Sequence, residues 1–312
     1  MRSPTFVRAA ALLCALAGAL HAQVRPTAHR LPEWLDALLT QCEAKSIQYE
    51  SITLSVPEDA DARTDRARVE VISPERFWRL ASLVELRAGE ANMKNAAPPG
   101  GERRSEADFE LALEPPALRE GDLDKLRTAA EDLGALADHM VADSAVHLGQ
   151  LLASRPSAVT LFNRAVQKLP VRITLSGQRA AVLSRLAQLP VSLPFAYLRS
   201  VRATPVAGLT VAVSLNLLVK PSAPQPTSAP AAELQRKASE ALAAAVPDAK
   251  VLISSPAGAE STILSVKGTA RDAAAARAAL TASVALPGLR GFDELGWKNE
   301  SGGLQLTGLL QF

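Results

Sequence analysis

Apolar and polar residues alternate most clearly in the middle of the chain. In residues 169–177 (LPVRITLSG), Val171, Ile173 and Leu175 occupy every second position, which predicts a half-buried strand that ends at Gly177. Apolar residues at helical spacing follow and stop before a proline, which predicts a helix. Two more predicted strands close this part of the chain, at 197–206 and 209–219.

The C-terminal part of the chain repeats this order of elements. Its strands alternate in the same way, and an Ala-rich stretch between them is predicted to be helical. From residue 231 onward, the pattern predicts a helix at 231–246, strands at 250–254 and 262–268, a helix at 269–284, and strands at 289–297 and 304–312.

A weaker copy of the same order lies at the front of the chain. Its second helix is predicted to begin at Ser73-Pro74-Glu75, because Pro is favoured at the first helical position after a capping Ser. The copy comprises a helix at 32–45, strands at 47–56 and 67–72, that second helix, and a closing strand at 109–113.

Three successive runs of helix–strand–strand–helix–strand–strand predict an α+β chain of tandem ferredoxin-like units. Each unit is expected to form an antiparallel sheet covered by helices on one face and to hold a small core of its own. Independent convergence on a common α+β pattern is the alternative. The expected boundaries are 23–118, with a mobile loop at 88–106, then 119–220, a Pro-rich linker at 221–230, and 231–312.

The second unit is expected to open with a long helical stretch at 119–154. Leu126, Leu133, Met140 and His147 recur there every seven residues, a spacing that permits coiled-coil-like packing.

The first 22 residues have the layout of a secretory signal peptide. Arg2 and Arg8 precede an uncharged apolar run from Ala9 to Leu20, and small Ala22 offers a cleavage point. The alternative is an uncleaved N-terminal anchor in the inner membrane. We therefore predict a periplasmic protein with no membrane span after cleavage. Cleavage leaves one cysteine, Cys42, which lies on an apolar helical stripe and is predicted to be a core residue.

Charge and aromatic content argue against nucleic acid as a partner. Lys and Arg total 34 and Asp and Glu total 32, and the leader holds two of the arginines, so the exported chain is neutral. Only 7 Phe, 3 Trp and 2 Tyr are present, which is few for stacking on bases.

The sequence contains no recognisable catalytic, cofactor or metal motif. Walker A, G-x-S-x-G, HExxH and CxxC patterns are absent. His139, Asp143 and His147 share one edge of the helix predicted there. They could ligate a metal weakly, and we interpret them as solvated positions beside an apolar stripe. We therefore predict no catalytic, cofactor-binding or metal site and expect that the protein is not an enzyme.

Residues 169–220 resemble the periplasmic domain of PilO and GspM proteins of type IV pilus and type II secretion machines. The likeness lies in LPVRITLSG, a helix ending in LAQLP, then YLRSVRATP and LTVAVSLNLLV. The resemblance implies a ferredoxin-like fold, no catalytic residues, and PilN-like, PilM-like or secretin-like partners, and self-association is also open. A non-enzymatic scaffold in such an envelope assembly is the leading hypothesis.

Residues 234–297 are similar to a BON domain. The likeness lies in the helix, the strand ILSVKG, the Ala-rich helix and the segment LPGLRGFDEL. This resemblance implies a module that recognises membrane or cell wall, which is the alternative function. An exported enzyme without a recognisable motif is the second alternative.

Overall fold

One antiparallel sheet of thirteen strands runs through the described chain. The computed structural model describes residues 31–56, 66–74, 92–96, 104–112, 118–141, 145–206, 208–221, 229–254, 261–300 and 303–312. Together with six α-helices, the sheet makes the protein a mixed α/β structure.

The strands fall into three sets along the chain. The first set is β1 (Ser51–Ser55), β2 (Arg66–Ser73), β3 (Asn92–Ala96) and β4 (Arg104–Ala112). The second set is β5 (Val146–Ser154), β7 (Arg164–Gly177), β8 (Ala196–Thr204) and β9 (Leu209–Val219), with the short β6 (Ser157–Leu161) beside β7. The third set is β10 (Lys250–Ile253), β11 (Ile263–Ala270), β12 (Gly291–Glu300) and β13 (Gly303–Gln311).

The helices lie between these strands in sequence. They are α1 (Leu31–Ala44), α2 (Ala129–Val141), α3 (Arg179–Ala187), α4 (Leu189–Ser192), α5 (Ala231–Ala243) and α6 (Ala273–Val284), with a 3₁₀ helix at Glu120–Lys125. Helix starts follow local capping chemistry. The Asp272 carboxylate accepts a hydrogen bond from the Ala275 amide at 2.7 Å, and Thr128 and Glu131 form a reciprocal capping pair before α2.

Each set has the same order of neighbouring strands: first, second, fourth, third. The sheet therefore contains the runs β1-β2-β4-β3, β5-β7-β9-β8 and β10-β11-β13-β12, and every pairing in it is antiparallel.

Two pairings fuse the three sets into one sheet, and we call each of them a joint. At the first joint β8 pairs with β1, and at the second β12 pairs with β5. In both joints the third strand of one set lies beside the first strand of the preceding set.

All the helices contribute to one continuous apolar core on one face of the sheet. In β9, for example, Val211, Val213 and Leu215 point into the core, whereas the residues between them are more exposed. A smaller cluster lies apart from this core, with the 3₁₀ helix and the β6–β7 hairpin; its buried members are Leu123, Leu126, Val166, Tyr197 and Leu218.

The expectation of a separate sheet and core for each unit is wrong. The core runs without a break from Leu31 to Phe312, because the two joints place the apolar faces of adjacent sets side by side. For example, Ile52 lies opposite Ala203, and Leu151 lies opposite Trp297.

The long helix expected at 119–154 is also wrong. After the 3₁₀ helix, α2 covers only Ala129–Val141, and the chain is strand β5 from Val146 onward. A register shift between Leu148 and Gln150 interrupts the alternation in β5 and hides its strand pattern in the sequence.

The segment expected to be a mobile loop, 88–106, contains paired strand. Strand β3 occupies Asn92–Ala96 and pairs with β4, which already begins at Arg104. The predicted leader, the helix predicted after Ser73-Pro74 and most of the Pro-rich linker lie outside the described residues.

The second joint depends on the absence of a side chain at Gly296. A Cβ there would lie against the Leu151 carbonyl oxygen and 2.8 Å from the Leu152 Cα, so the backbone of β5 itself blocks it. The neighbouring Trp297 is fully buried beside this close approach.

We expect Gly296→Ala to lower the free energy of unfolding by about 2–3 kcal/mol, because β5 and β12 must separate to admit the methyl group. Gly291→Ala in the same strand is the matched control, since a Cβ there meets nothing within 4 Å. Urea unfolding followed by circular dichroism measures both; equal stability of the two variants would contradict this account of the joint.

Candidate functional site

The structure separates the three residues that the sequence places on one helix edge. His139 lies in α2, Asp143 falls outside the described residues, and His147 lies in β5. The His147 Nε2 is 2.9 Å from the Asn299 side-chain nitrogen, across the second joint. The helical spacing was therefore misleading, because the chain changes from helix to strand between the two histidines.

His139 is a buried structural residue, not the solvated position that we predicted. Its Nε2 lies 2.8 Å from the Arg185 carbonyl oxygen, which can only accept, so Nε2 carries the proton. The Ser192 hydroxyl then donates to Nδ1 at 3.0 Å. Burial lowers the pKa of His139, and the neutral ring ties α2 to the ends of α3 and α4.

Ser192 and His139 are the only hydroxyl–imidazole pair found in the described ranges, and sequence analysis missed it. The partner of the second ring nitrogen is a backbone carbonyl, whereas a carboxylate would stabilise a protonated ring. The residues lining the cleft described below include neither side chain. We interpret the pair as a structural contact.

Asp132 is the one buried carboxylate in the part of the chain that the structure describes. It lies in the first turns of α2, and burial raises its pKa to about 6. The Arg127 guanidinium, 3.8 Å away, only partly offsets this cost of desolvation.

Cys42 is buried in the core, as predicted from its apolar stripe. Burial raises the pKa of its thiol to about 11, so the thiol is protonated and unreactive at neutral pH. Across the described ranges, no group of three or more His, Cys, Asp or Glu residues is arranged to hold a metal ion.

A cleft of about 530 Å³ lies where the second and third sets meet. It runs between the β5–β6 turn and the segment 285–291 that leads into β12. Its polar lining comes from Arg155, Gln167, Arg290 and Gln311, and no Ser, Cys, His or carboxylate lines it. Such a lining suits binding of an anionic group more than acid–base catalysis.

Asp293 holds two residues that line this cleft, Gln311 and Arg155. It sits at the bulge in β12, where its side chain accepts from the Gln311 amide at 2.9 Å and lies 3.8 Å from the Arg155 guanidinium. The Asp293 carbonyl also accepts from the Arg155 amide at 3.0 Å. The bulge thus fixes Arg155 at the mouth of the cleft.

An arginine joins two helices beside each joint. At the first joint, Arg179 of α3 contacts α1 through the Asp36 carboxylate at 2.6 Å and the Glu43 carboxylate at 2.6 Å. At the second, Arg277 of α6 contacts Asp138 of α2 at 2.8 Å. In both cases the arginine lies on the second helix of one set and the acid on the first helix of the preceding set.

The two outermost strands of the sheet are β3 and β10. In β10, Leu252 is 60% exposed and Ile253 is 44% exposed, although both are large apolar residues. Across the described residues, the outer edge of β10 pairs with no strand. An exposed apolar edge of this kind is a template for a further strand.

Comparison with family models, with curated proteins and with solved structures finds no match to this chain. In the described ranges, no helix combines the length and the apolar character needed to cross a membrane.

We expect Arg179→Met to lower the free energy of unfolding by about 1–2 kcal/mol, since it removes ion pairs to two carboxylates from a guanidinium that is largely covered. The acids are more than half exposed, which limits the effect. Arg277→Met is the matched control at the other joint and should cost under about 0.5 kcal/mol, because both members of its single ion pair are about half exposed. Urea unfolding compares the two; a larger loss from Arg277→Met would contradict this ranking.

We expect Asp132→Asn to raise the free energy of unfolding by about 2 kcal/mol above pH 6. The folded-state pKa lies above the unfolded value, so the ionised carboxylate destabilises the fold at high pH. The gain should shrink as the pH falls from about 6 and should vanish below 3.8, where wild-type Asp132 is protonated in both states. A pH series of urea unfolding measures it, and a gain independent of pH would rule out this origin.

Proposed function

We propose that this chain is a non-enzymatic periplasmic scaffold in an envelope assembly of the type IV pilus or type II secretion kind. It acts through protein contacts at its sheet edges and helices. The observation that carries the proposal is the outer edge of β10, where Leu252 and Ile253 expose apolar surface on a strand that has no strand partner on that side within the described residues.

The finer fold belongs to the same proposal. Each set is a ferredoxin-like αββαββ unit, and three such units are fused in tandem. The support is the common strand order first-second-fourth-third, which all three sets share. In the second and third sets a helix also lies between the two strand pairs. The order in which β7 ends at Gly177 and α3, β8 and β9 follow is the order that the resemblance to PilO and GspM domains implies.

The chemistry of the described residues favours contact over catalysis. The buried acid and the buried histidine, Asp132 and His139, lie within the core contacts of α2 and do not line the cleft. Catalysis needs converging polar groups at an accessible pocket. In contrast, the sheet supplies two outermost strands, β3 and β10, at which backbone pairing can bind a partner strand.

A second candidate is an envelope-binding module of the BON kind. The cleft beside the third set favours it, because Arg155 and Arg290 both line that cleft. Two guanidinium groups suit anionic headgroups or wall polymers.

Site-specific photocrosslinking in intact host cells tests the proposal. A photoreactive amino acid replaces Leu252 at the sheet edge, and in the control it replaces Val191 on α4, which is 85% exposed and far from that edge in the sheet order. We expect PilN-like, PilM-like or secretin-like proteins to crosslink from position 252 and not from 191, by mass spectrometry.

Other outcomes of this experiment have defined meanings. Capture of only lipid or wall fragments would overturn the scaffold in favour of the BON-like module. Identical products from positions 252 and 191 would show that the β10 edge has no special role and would overturn the proposal as well.

A further inference from the structure

The two internal joints obey a single rule. Strand β8 is the third strand of its set and pairs with β1, the first strand of the set before it. Strand β12 is likewise the third strand of its set and pairs with β5, the first of the set before it. Both pairings are antiparallel, and both keep the core faces of the two sets on the same side.

The two outermost strands of the described sheet are of the two kinds that pair at a joint, one a third strand and the other a first strand. Strand β3 is the third strand of the first described set, and among the described strands its outer edge has no partner. Strand β10 is the first strand of the third described set, and its outer edge likewise has no partner there. A third-strand edge and a first-strand edge are therefore left at opposite ends of the described sheet.

We propose that copies of this chain associate end to end, with β3 of one copy pairing antiparallel with β10 of the next. The inference rests on the proposed function, because it names a second copy as one partner of the β10 edge. It repeats between chains the joint that already occurs twice within the chain.

The lengths of the strands fit this joint. The internal joints align Ile52–Ser55 with Ser200–Ala203 and Gln150–Ser154 with Glu294–Lys298, four and five residues long. Strand β10 offers four residues and β3 offers five. The exposed Leu252 and Ile253 would be covered by the incoming strand.

Matching of faces restricts the register. Val251 and Ile253 share the core face of β10, because they lie opposite Val266 and Leu264, which are buried in the core. Positions 93 and 95 of β3 belong to the core face of the sheet by register. Met93 lies opposite Ala107 in β4, and Ala107 lies opposite the buried Val71 in β2. A shift by one residue would reverse the faces.

One register overlaps all four residues of β10 with β3 and keeps these faces together. In it, Ile253 lies opposite Met93 and Val251 lies opposite Asn95. Leu252 then lies opposite Lys94, and Lys250 lies opposite Ala96. We assign this register.

The backbone of β10 is oriented to accept the incoming strand. The Ser254 amide donates to the Ile263 carbonyl at 2.7 Å, so positions 254 and 252 direct their backbone groups toward β11. The amides of Val251 and Ile253 therefore point away from the sheet. The outward carbonyl of Val251 accepts a hydrogen bond from the Gln235 side-chain amide at 2.6 Å, which the incoming strand would replace. Proline at position 253 removes an outward donor without removing a hydrogen bond to β11.

The proposed interface is heterologous, because its two sides are different strands. A heterologous contact yields a ring if its rotation closes and an open chain if it does not. Either product consists of more than two copies once the edges are saturated.

Sedimentation velocity of the exported full chain tests the proposal. We expect wild type to form a series of multiples of the chain mass that grows with concentration. Ile253→Pro should raise the concentration for half-assembly by about tenfold or more. Leu252→Lys should weaken assembly in the same direction. Val191→Lys is the matched control, an exposed apolar residue changed to the same charge away from the edge, and should assemble as wild type.

Cysteine crosslinking tests the register. In the assigned register Leu252 and Lys94 form a non-hydrogen-bonded pair, whose Cα atoms lie about 4.5 Å apart, close enough for a disulfide. The double variant Leu252→Cys with Lys94→Cys should give a ladder of intermolecular disulfides with copper phenanthroline. The control, Leu252→Cys with Asn92→Cys, reports a pairing shifted by two residues and should give little.

Two results would overturn the inference: wild type that stays at the mass of one chain at every concentration, or assembly that Ile253→Pro leaves unchanged. Failure here is distinguishable from failure of the scaffold proposal. A single-copy chain that still captures envelope proteins from position 252 remains a scaffold, whereas a chain that assembles but captures only itself is not one of the pilus or secretion kind.

Discussion

The structure depends on antiparallel pairing between strands of successive sets. The β8–β1 and β12–β5 joints turn three sets of strands into one sheet and align their apolar faces into one core. The constraint is tight at the second joint, where β5 approaches Gly296 closely and Trp297 is buried beside it. The joints also determine which helices pack together. Each joint brings the second helix of one set against the first helix of the preceding set.

This way of building the sheet accounts for where polar groups are found. In the core, the few buried polar side chains serve local geometry, as His139 does when it bonds to the Arg185 carbonyl and the Ser192 hydroxyl. Two arginines, Arg155 and Arg290, line the cleft where the second and third sets meet. Outward backbone groups lie at the two outermost strands of the described sheet. The candidate binding surfaces therefore lie at a joint and at the edges, where the proposed scaffold would make its contacts.

Helices and strands with an unbroken pattern were predictable from the sequence. Strand β9 has the bounds expected from its alternation, and α1 buries the stripe that its spacing predicted. The prediction of one long helix at 119–154 was wrong because a register shift within β5 breaks the two-residue period. The candidate surfaces were harder to predict. Leu252 and Ile253 resemble ordinary strand residues in sequence, and only their place on an outermost strand makes them exposed.

The sequence by itself determined most of the helices and strands from residue 169 to the C-terminus, the apolar face of those strands and the core position of Cys42. The tertiary structure decided that the sets share one sheet, that His139 and His147 lie apart, and which strands are left at the ends. The physical reason is that side-chain periodicity reports which face of an element is buried. Strand partners, in contrast, are joined by backbone amide and carbonyl groups that are the same at nearly every residue, so the choice between neighbours appears only when the faces are packed together.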